Sequence, residues 1–264
     1  MKTTLKTTLS ALVLLAAFAT PTTASAQAAD RPLAGNISLV SDYRFRGISQ
    51  SYKLPALQGG LDWSHASGLY LGNWNSSLSG NQYPNGASLE MDFYGGYKFA
   101  LTSDITLDAG GIYYLYPGAY WNGFLPTKPK FNNFEVYLGA SSGPFSAKLY
   151  VAVTDFFGLD STTGGKDSSG SYYLDLNYGA EIMPKLSLSA HLGYQNVRNY
   201  TSGDNDLSYF DYKLGITYDW SGWALGAAVV GTNADKKLYV ASDAAGKVKR
   251  TGEPGLVLSI GKSF

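Results

Sequence analysis

Ser189 and His191 stand two positions apart, the spacing that puts two side chains on one face of a β-strand. A serine and a histidine so placed are the raw parts of a nucleophile and its base, and barrel-embedded lipid hydrolases use such neighbouring strand positions. That chemistry needs a Ser–His hydrogen bond, a third group to orient the imidazole, and a site that faces lipid. The alternating Leu186, Leu188, Ala190, Leu192 and Tyr194 claim the apolar side. Ser189 and His191 therefore fall on the polar side and read as interior residues. His65, the other histidine, lies beside a short turn and reads as a solvated end residue.

Other chemistries are excluded by composition or spacing. No Cys and only two His leave no thiol nucleophile, no disulfide, and no cysteine-ligated or histidine-rich metal site. Asp204-Asn205-Asp206 lacks the spaced carboxylates and turn glycine of a calcium loop, and Gly164-Gly165-Lys166 lacks the glycine spacing of a phosphate loop. No cofactor is implied. Lys+Arg at 20 offset Asp+Glu at 20, so there is no basic excess to hold nucleic acid.

The charges that remain are distributed in a regular way. Asp42, Arg44, Arg46, Asp62, Glu90, Asp92, Lys98, Asp108, Glu135, Lys148, Asp175, Glu181, Asp211, Lys213 and Asp219 all occupy the polar face of an alternating segment. Lining a water-filled lumen, ten acids against five bases favour cations by field focusing. The competing reading is that they pair across the interior as cross-links, since a desolvated charge is costly unless paired. Arg44 and Arg46 beside Asp42 are the expected constriction or cross-strand pairs.

The elements that position these charges are strands of period two. Leu89, Met91, Phe93, Gly95, Tyr97 and Phe99 alternate with Glu90, Asp92, Tyr94, Gly96 and Lys98, and the pattern repeats along the chain. Twelve segments result, near 33–46, 56–65, 69–79, 88–99, 105–116, 132–141, 145–157, 171–182, 186–198, 207–220, 223–233 and 254–264. On the first of them Ile37, Leu39, Tyr43 and Phe45 are expected to share the apolar face. Connections alternate between short Gly, Pro, Ser and Asp turns and longer polar links, such as 47–55, 117–131 and 234–253. This predicts an all-β, transmembrane, antiparallel up-and-down barrel with short periplasmic turns and longer extracellular loops. Tyr113, Tyr116, Tyr120 and Trp121 are expected at the loop-side rim, and Trp220 and Trp223 at a short turn, as interfacial girdles require. Charged residues at 15%, against about 25% in a typical soluble domain, agree with a lipid-facing exterior.

Lys2 and Lys6, the apolar run 9–19 and Ala24-Ser25-Ala26 have the layout of a secretory signal cleaved after Ala26. The domains expected are thus 1–26, the signal, and 27–264, the barrel. Leu256, Leu258, Ile260 and Phe264 form a last strand with a terminal aromatic, a recognition signal for the barrel-assembly machinery. Lys236, Lys237, Lys247, Lys249 and Arg250 make the last long loop basic, a solvated loop that could also meet lipopolysaccharide phosphate.

Val40-Ser41-Asp42-Tyr43-Arg44-Phe45-Arg46-Gly47-Ile48-Ser49-Gln50-Ser51 resembles a motif of the TorF family of Gram-negative outer-membrane proteins, classed as porins from their topology. Pro55-Ala56-Leu57-Gln58-Gly59-Gly60-Leu61-Asp62, Glu90-Met91-Asp92-Phe93-Tyr94-Gly95-Gly96-Tyr97 and Ser259-Ile260-Gly261-Lys262-Ser263-Phe264 are similar too. The resemblance implies an outer-membrane porin and supplies no substrate. The expected function is a channel for passive diffusion of small hydrophilic solutes or ions, mildly cation-preferring, and not an enzyme. Its rivals are a non-conducting structural or surface-binding barrel and, further off, a lipid hydrolase. Twelve strands lie between eight, which side chains fill, and sixteen, which leave an aqueous pore. The lumen is therefore expected to be narrow or partly closed by a folded-in loop such as 117–131.

Overall fold

In the computed structural model the described residues are 32–83, 87–121, 130–163, 166–201, 203 and 206–264. The signal segment 1–26 with its cleavage site, Gly164-Gly165 and Asp204-Asn205 lie outside them.

The described residues form sixteen strands. Twelve close a barrel: β1 (Leu33–Val40), β4 (Ala56–Ser64), β5 (Leu69–Ser77), β6 (Leu89–Ala100), β7 (Thr106–Leu115), β8 (Asn133–Ser142), β9 (Phe145–Ala152), β10 (Tyr172–Met183), β11 (Leu186–Asn196), β12 (Tyr209–Trp220), β13 (Trp223–Thr232) and β16 (Gly255–Ser263). Each pairs antiparallel with its chain neighbour in the barrel, and β1 pairs with β16 to close it. The other four make two small hairpins, β2 (Arg44–Phe45) with β3 (Ile48–Ser49) and β14 (Val240–Ser242) with β15 (Val248–Arg250).

Alternation explains which side chains face out. Leu57, Leu71, Phe93, Leu138, Leu174, Leu192, Leu214 and Leu256 are exposed around the circumference. Leu214, for example, lies between inward Lys213 and Gly215, because neighbouring strand residues point to opposite faces. A belt of this kind would be an aggregation surface in water and is a lipid-facing surface in a membrane. Trp220 and Trp223 flank the turn at 221–222 and are exposed. At the seam, Phe264 and Gly35 exchange backbone hydrogen bonds of 2.8 and 3.0 Å, and the Phe264 ring fills the space a Cβ on Gly35 would need.

Glycine pairs make room inside. Gly96 stands opposite Gly110 across β6 and β7. A Cβ on Gly110 would sit 2.3 Å from the Gly95 carbonyl and 2.5 Å from the Tyr137 hydroxyl. Their absence lets the Tyr70 and Tyr137 hydroxyls meet across the interior.

The first segment departs from the sequence reading. Strand β1 ends at Val40 and not at 46. The chain then turns into the barrel, and Tyr43 and Phe45 lie inside it, not among the lipid-facing residues. The alternation continues because β2 is itself extended, but it belongs to the small hairpin with β3. Period-two patterning records local extension and is blind to a change of direction. The barrel strand in 145–157 also stops early, at Ala152, and Phe156–Gly158 forms a single helical turn. Tyr116 leaves the expected rim to point inward, where it is buried against Glu90.

Candidate functional site

The interior is divided into two halves. Toward the short turns, Asp62, Lys98, Lys148, Asn177, Ser189, His191 and Lys213 are half-buried and reached by solvent. Toward the long loops every strand presents a buried inward residue. Val40, Gln58, Ser76, Glu90, Ile112, Glu135, Tyr150, Tyr173, Gln195, Asp211, Val230 and Val257 come one from each barrel strand, and none is more than 4% exposed. The barrel is closed to water at that level.

Residues 41–55 fold into the lumen at that level, and Tyr83, Phe131 and Phe157 from other long loops pack in the same aromatic cluster as Phe45. Strands β2 and β3 form a hairpin whose two turn residues, Arg46 and Gly47, have φ of 46° and 79°. Two left-handed residues between short antiparallel strands make the tight turn whose twist suits a hairpin. A side chain on Gly47 would lie 2.4 Å from Thr232 Cγ2 and 2.8 Å from Asp211 Cβ, so the tip rests directly on the wall.

Asp42 ties the base of the hairpin together. Its carboxylate accepts from Arg44 Nε at 2.6 Å, Ser49 Oγ at 2.6 Å and Ser51 Oγ at 3.2 Å. Arg44 also donates to the carbonyls of Gly47, Thr251 and Glu253, all at 3.0 Å. The last long loop holds the segment from outside: Lys249 Nζ donates to the Tyr52 carbonyl at 2.8 Å and lies over the Tyr52 ring, and Tyr52 donates to the Lys247 carbonyl. In that loop the hydrogen bond from Arg250 holds the Glu253 carboxyl below its ordinary value.

At the tip, Arg46 reaches across the lumen. Its guanidinium donates to both oxygens of Glu135 on β8, at 2.6 and 3.1 Å, and to Gln195 Oε1 on β11 at 2.7 Å. Its Cζ lies 4.3 Å from the centre of the Tyr173 ring and 5.4 Å from that of Tyr150. Asn133 and Tyr114 donate to the same carboxylate. A bidentate, charge-assisted pair in a dry setting is the strong form of such a contact.

Beside it lies an acidic pair. Glu90 and Asp92 share one face of β6, and Glu90 accepts from Tyr116 at 2.7 Å. Asp92 Oδ1 is buried without a hydrogen-bond partner among the described residues, and the buried Tyr43 hydroxyl neighbours Glu90.

The half-buried end is a second network. Lys148 donates to Asp108 at 2.8 Å, Tyr70 donates to the same carboxylate at 2.6 Å, and Tyr94 donates to Asp62. Lys98 lies over the Tyr70 ring, with Asp108 and Asp62 as its charged neighbours. His191 has a carboxylate on each ring nitrogen, Asp175 at 3.0 Å and Asp211 at 2.7 Å, and Lys213 is their neighbour. Neither nitrogen is available to Ser189, whose hydroxyl donates to the Gly215 carbonyl at 3.4 Å. The nucleophile–base pairing is therefore not made.

Most of the charges assigned to the interior by parity are there. Glu181 and Asp219 are the exceptions: both are exposed at the short-turn rim, where they cap the turns by accepting from the backbone N–H of Lys185 and Gly222. Asp42, Arg44 and Arg46 reach the interior on the infolded hairpin and not on a barrel strand. That correction follows from where β1 ends. The interior near the loops is also packed, not wet, because the expectation omitted the hairpin. Within the expected loop 117–131, Ala119 and Phe131 do join the packed aromatic cluster, but residues 41–55 are the segment that crosses the lumen. Patterning gave no warning of Gln195, Tyr150 and Tyr173 as Arg46 ligands, since they lie about a hundred residues or more away in sequence.

A closed, antiparallel twelve-stranded barrel with an apolar exterior and a polar interior is the architecture of an outer-membrane-type barrel. The chain belongs to the bacterial family of unknown function designated Gcw_chp, whose profile matches residues 24–264. Among solved structures it is similar to the KdgM porin, at 10% identity and a TM-score of 0.51, covering 88% of this chain and 98% of that one. The KdgM porin in complex with disordered oligogalacturonate gives a TM-score of 0.50 at 10% identity, with 88% and 97% covered. The NanC porin gives 0.51, again at 10% identity, with 88% and 98% covered. No curated protein matches the sequence.

Proposed function

We propose that the chain is an outer-membrane channel of the TorF type, closed at rest by residues 41–55, that passes small hydrophilic solutes and prefers cations. It is exported by a signal cleaved after Ala26 and inserted through its last strand, ending in Phe264, by the barrel-assembly machinery of a Gram-negative cell. The observation that carries the reading is the two-part interior: a charged half toward the short turns that solvent partly reaches, behind a packed half in which the infolded residues 41–55 cross the lumen. A purely structural barrel needs no such division, and a hydrolase needs a Ser–His bond that Ser189 does not make.

Charge sets the preference. Eight Asp and Glu lie inside against five Lys and Arg and one histidine held between two of the carboxylates. The KdgM porin structure holds a polyanion, oligogalacturonate. A polyanion would meet the acid surplus of this interior and be disfavoured. The exposed Lys236, Lys237 and Lys247 suit the phosphates of lipopolysaccharide at the outer rim.

The test is single-channel current in a planar bilayer under a KCl gradient, from the refolded chain and from a variant with 43–53 replaced by a short Gly-Ser linker. The intact chain should open rarely. The linker variant should conduct continuously, with a cation-selective reversal potential. Silence from both, with heat-modifiable gel migration proving them folded, would overturn the channel reading. Anion selectivity in the linker variant would overturn the charge argument alone.

A further inference from the structure

The pocket around Arg46 has every part of a receptor for a guanidinium group. Glu135 offers a bidentate carboxylate, Gln195 a third acceptor, and Tyr173 a ring face over which the cation sits, 4.3 Å from its centre. Asn133 and Tyr114 hold the carboxylate in place. The group that fills the pocket arrives on the infolded loop, while the pocket itself is built entirely from barrel strands β7, β8, β9, β10 and β11. Ligand and receptor thus belong to separable parts of the structure.

The choice of residue at the hairpin tip points the same way. A two-residue turn with φ of 46° at its first position favours Asn, Asp or Gly. Arg carries a Cβ that clashes in the left-handed region, so this conformation is strained. Tyr52 and Lys53, at φ of 57° and 54°, carry the same strain further along the segment. Local preference is overridden across this loop, and the compensation at the tip is the guanidinium in its pocket. Next to the pocket, Glu90 and Asp92 are buried, Asp92 Oδ1 has no hydrogen-bond partner among the described residues, and Asp92 has both Glu90 and Glu135 as charged neighbours. Arg46 is hydrogen-bonded to Glu135 and Gln195, and those hydrogen bonds reach neither Glu90 nor Asp92.

We infer that the Glu135–Gln195–Tyr173–Tyr150 pocket is a binding site for small solutes bearing a guanidinium group, and that Arg46 is a tethered occupant that such a solute displaces. This rests on the channel reading and gives it a substrate class and an opening step. A free guanidinium-bearing solute arriving from the short-turn half of the interior competes for Glu135. When it wins, the hairpin loses its anchor and the outer half of the lumen opens. Planarity gives selectivity: an ammonium group cannot make the two parallel hydrogen bonds to one carboxylate while stacking on Tyr173.

The test is single-channel current from Arg46→Ala, which empties the pocket, with methylguanidinium or methylammonium chloride added at constant ionic strength. Methylguanidinium should block at a concentration about tenfold or more below that of methylammonium, the difference expected for a bidentate planar contact. Adding Glu135→Gln to Arg46→Ala should abolish that difference. Equal block by the two cations, or preferential block that survives Glu135→Gln, would overturn the site. Arg46→Ala that stays silent while the linker variant conducts would overturn Arg46 as the lock and leave the channel standing. If Arg46→Ala fails to fold, the linker variant presents the same wall and takes the same titration with the same two outcomes.

Discussion

Glu135→Gln is expected to turn a barrel that opens rarely into one that conducts most of the time. The substitution keeps the shape and one acceptor oxygen but removes the charge that Arg46 grips at 2.6 and 3.1 Å. Arg46 would then sit in a dry pocket with only neutral acceptors. Breaking a buried ion pair from one side costs about 3–5 kcal/mol, because the remaining charge stays desolvated. Arg46 can avoid that cost by leaving, since this ion pair is the charged contact that holds the hairpin tip to the barrel wall, while Arg44 and Tyr52 hold its base to the last loop. Each 1.4 kcal/mol is tenfold, so the closed-to-open ratio should fall by about 100-fold or more. Arg46→Gln combined with Glu135→Gln should be closed more often than Glu135→Gln alone, since two amides can hydrogen-bond without a stranded charge. That recovery separates a specific pair from general damage. Conductance of Glu135→Gln equal to that of the unaltered chain, from barrels shown to be folded, would mean that Arg44 and the last loop hold the segment unaided.

Leu138→Arg is the second large effect. Leu138 is 60% exposed at the middle of β8, between outward neighbours Ala109 and Leu149 on the flanking strands. If that surface meets hydrocarbon, a charge at mid-depth should lower folding stability by about 2–4 kcal/mol. Val248, 59% exposed on the outer hairpin β14–β15, is the matched control. Val248→Arg should change stability by no more than about 0.5 kcal/mol, as surface substitutions do. Urea titration of the protein refolded into lipid vesicles reads both. Equal costs at the two positions would mean that the exposed leucines do not form a lipid-facing belt.

The sequence by itself determined the barrel. Twelve alternating segments, the short and long links between them and the outward leucines each depend on neighbouring residues within one strand, where side chains two apart must share a face. The same local rule placed Glu90, Asp92, Glu135, Asp175 and Asp211 inside. It failed where the chain leaves the sheet without ceasing to be extended. Tyr43-Arg44-Phe45-Arg46 alternates as a strand should, and only pairing tells a barrel strand from a hairpin turned inward. It failed again at the rim, where Glu181 and Asp219 keep the right parity but sit beyond the interior and cap turns. Tertiary structure alone decided that Arg46 meets Glu135, Gln195 and Tyr173, residues brought together by barrel closure and not by any spacing along the chain. Pairing across a lumen depends on the diameter of the barrel and the depth a loop reaches, and neither quantity is written in a period of two.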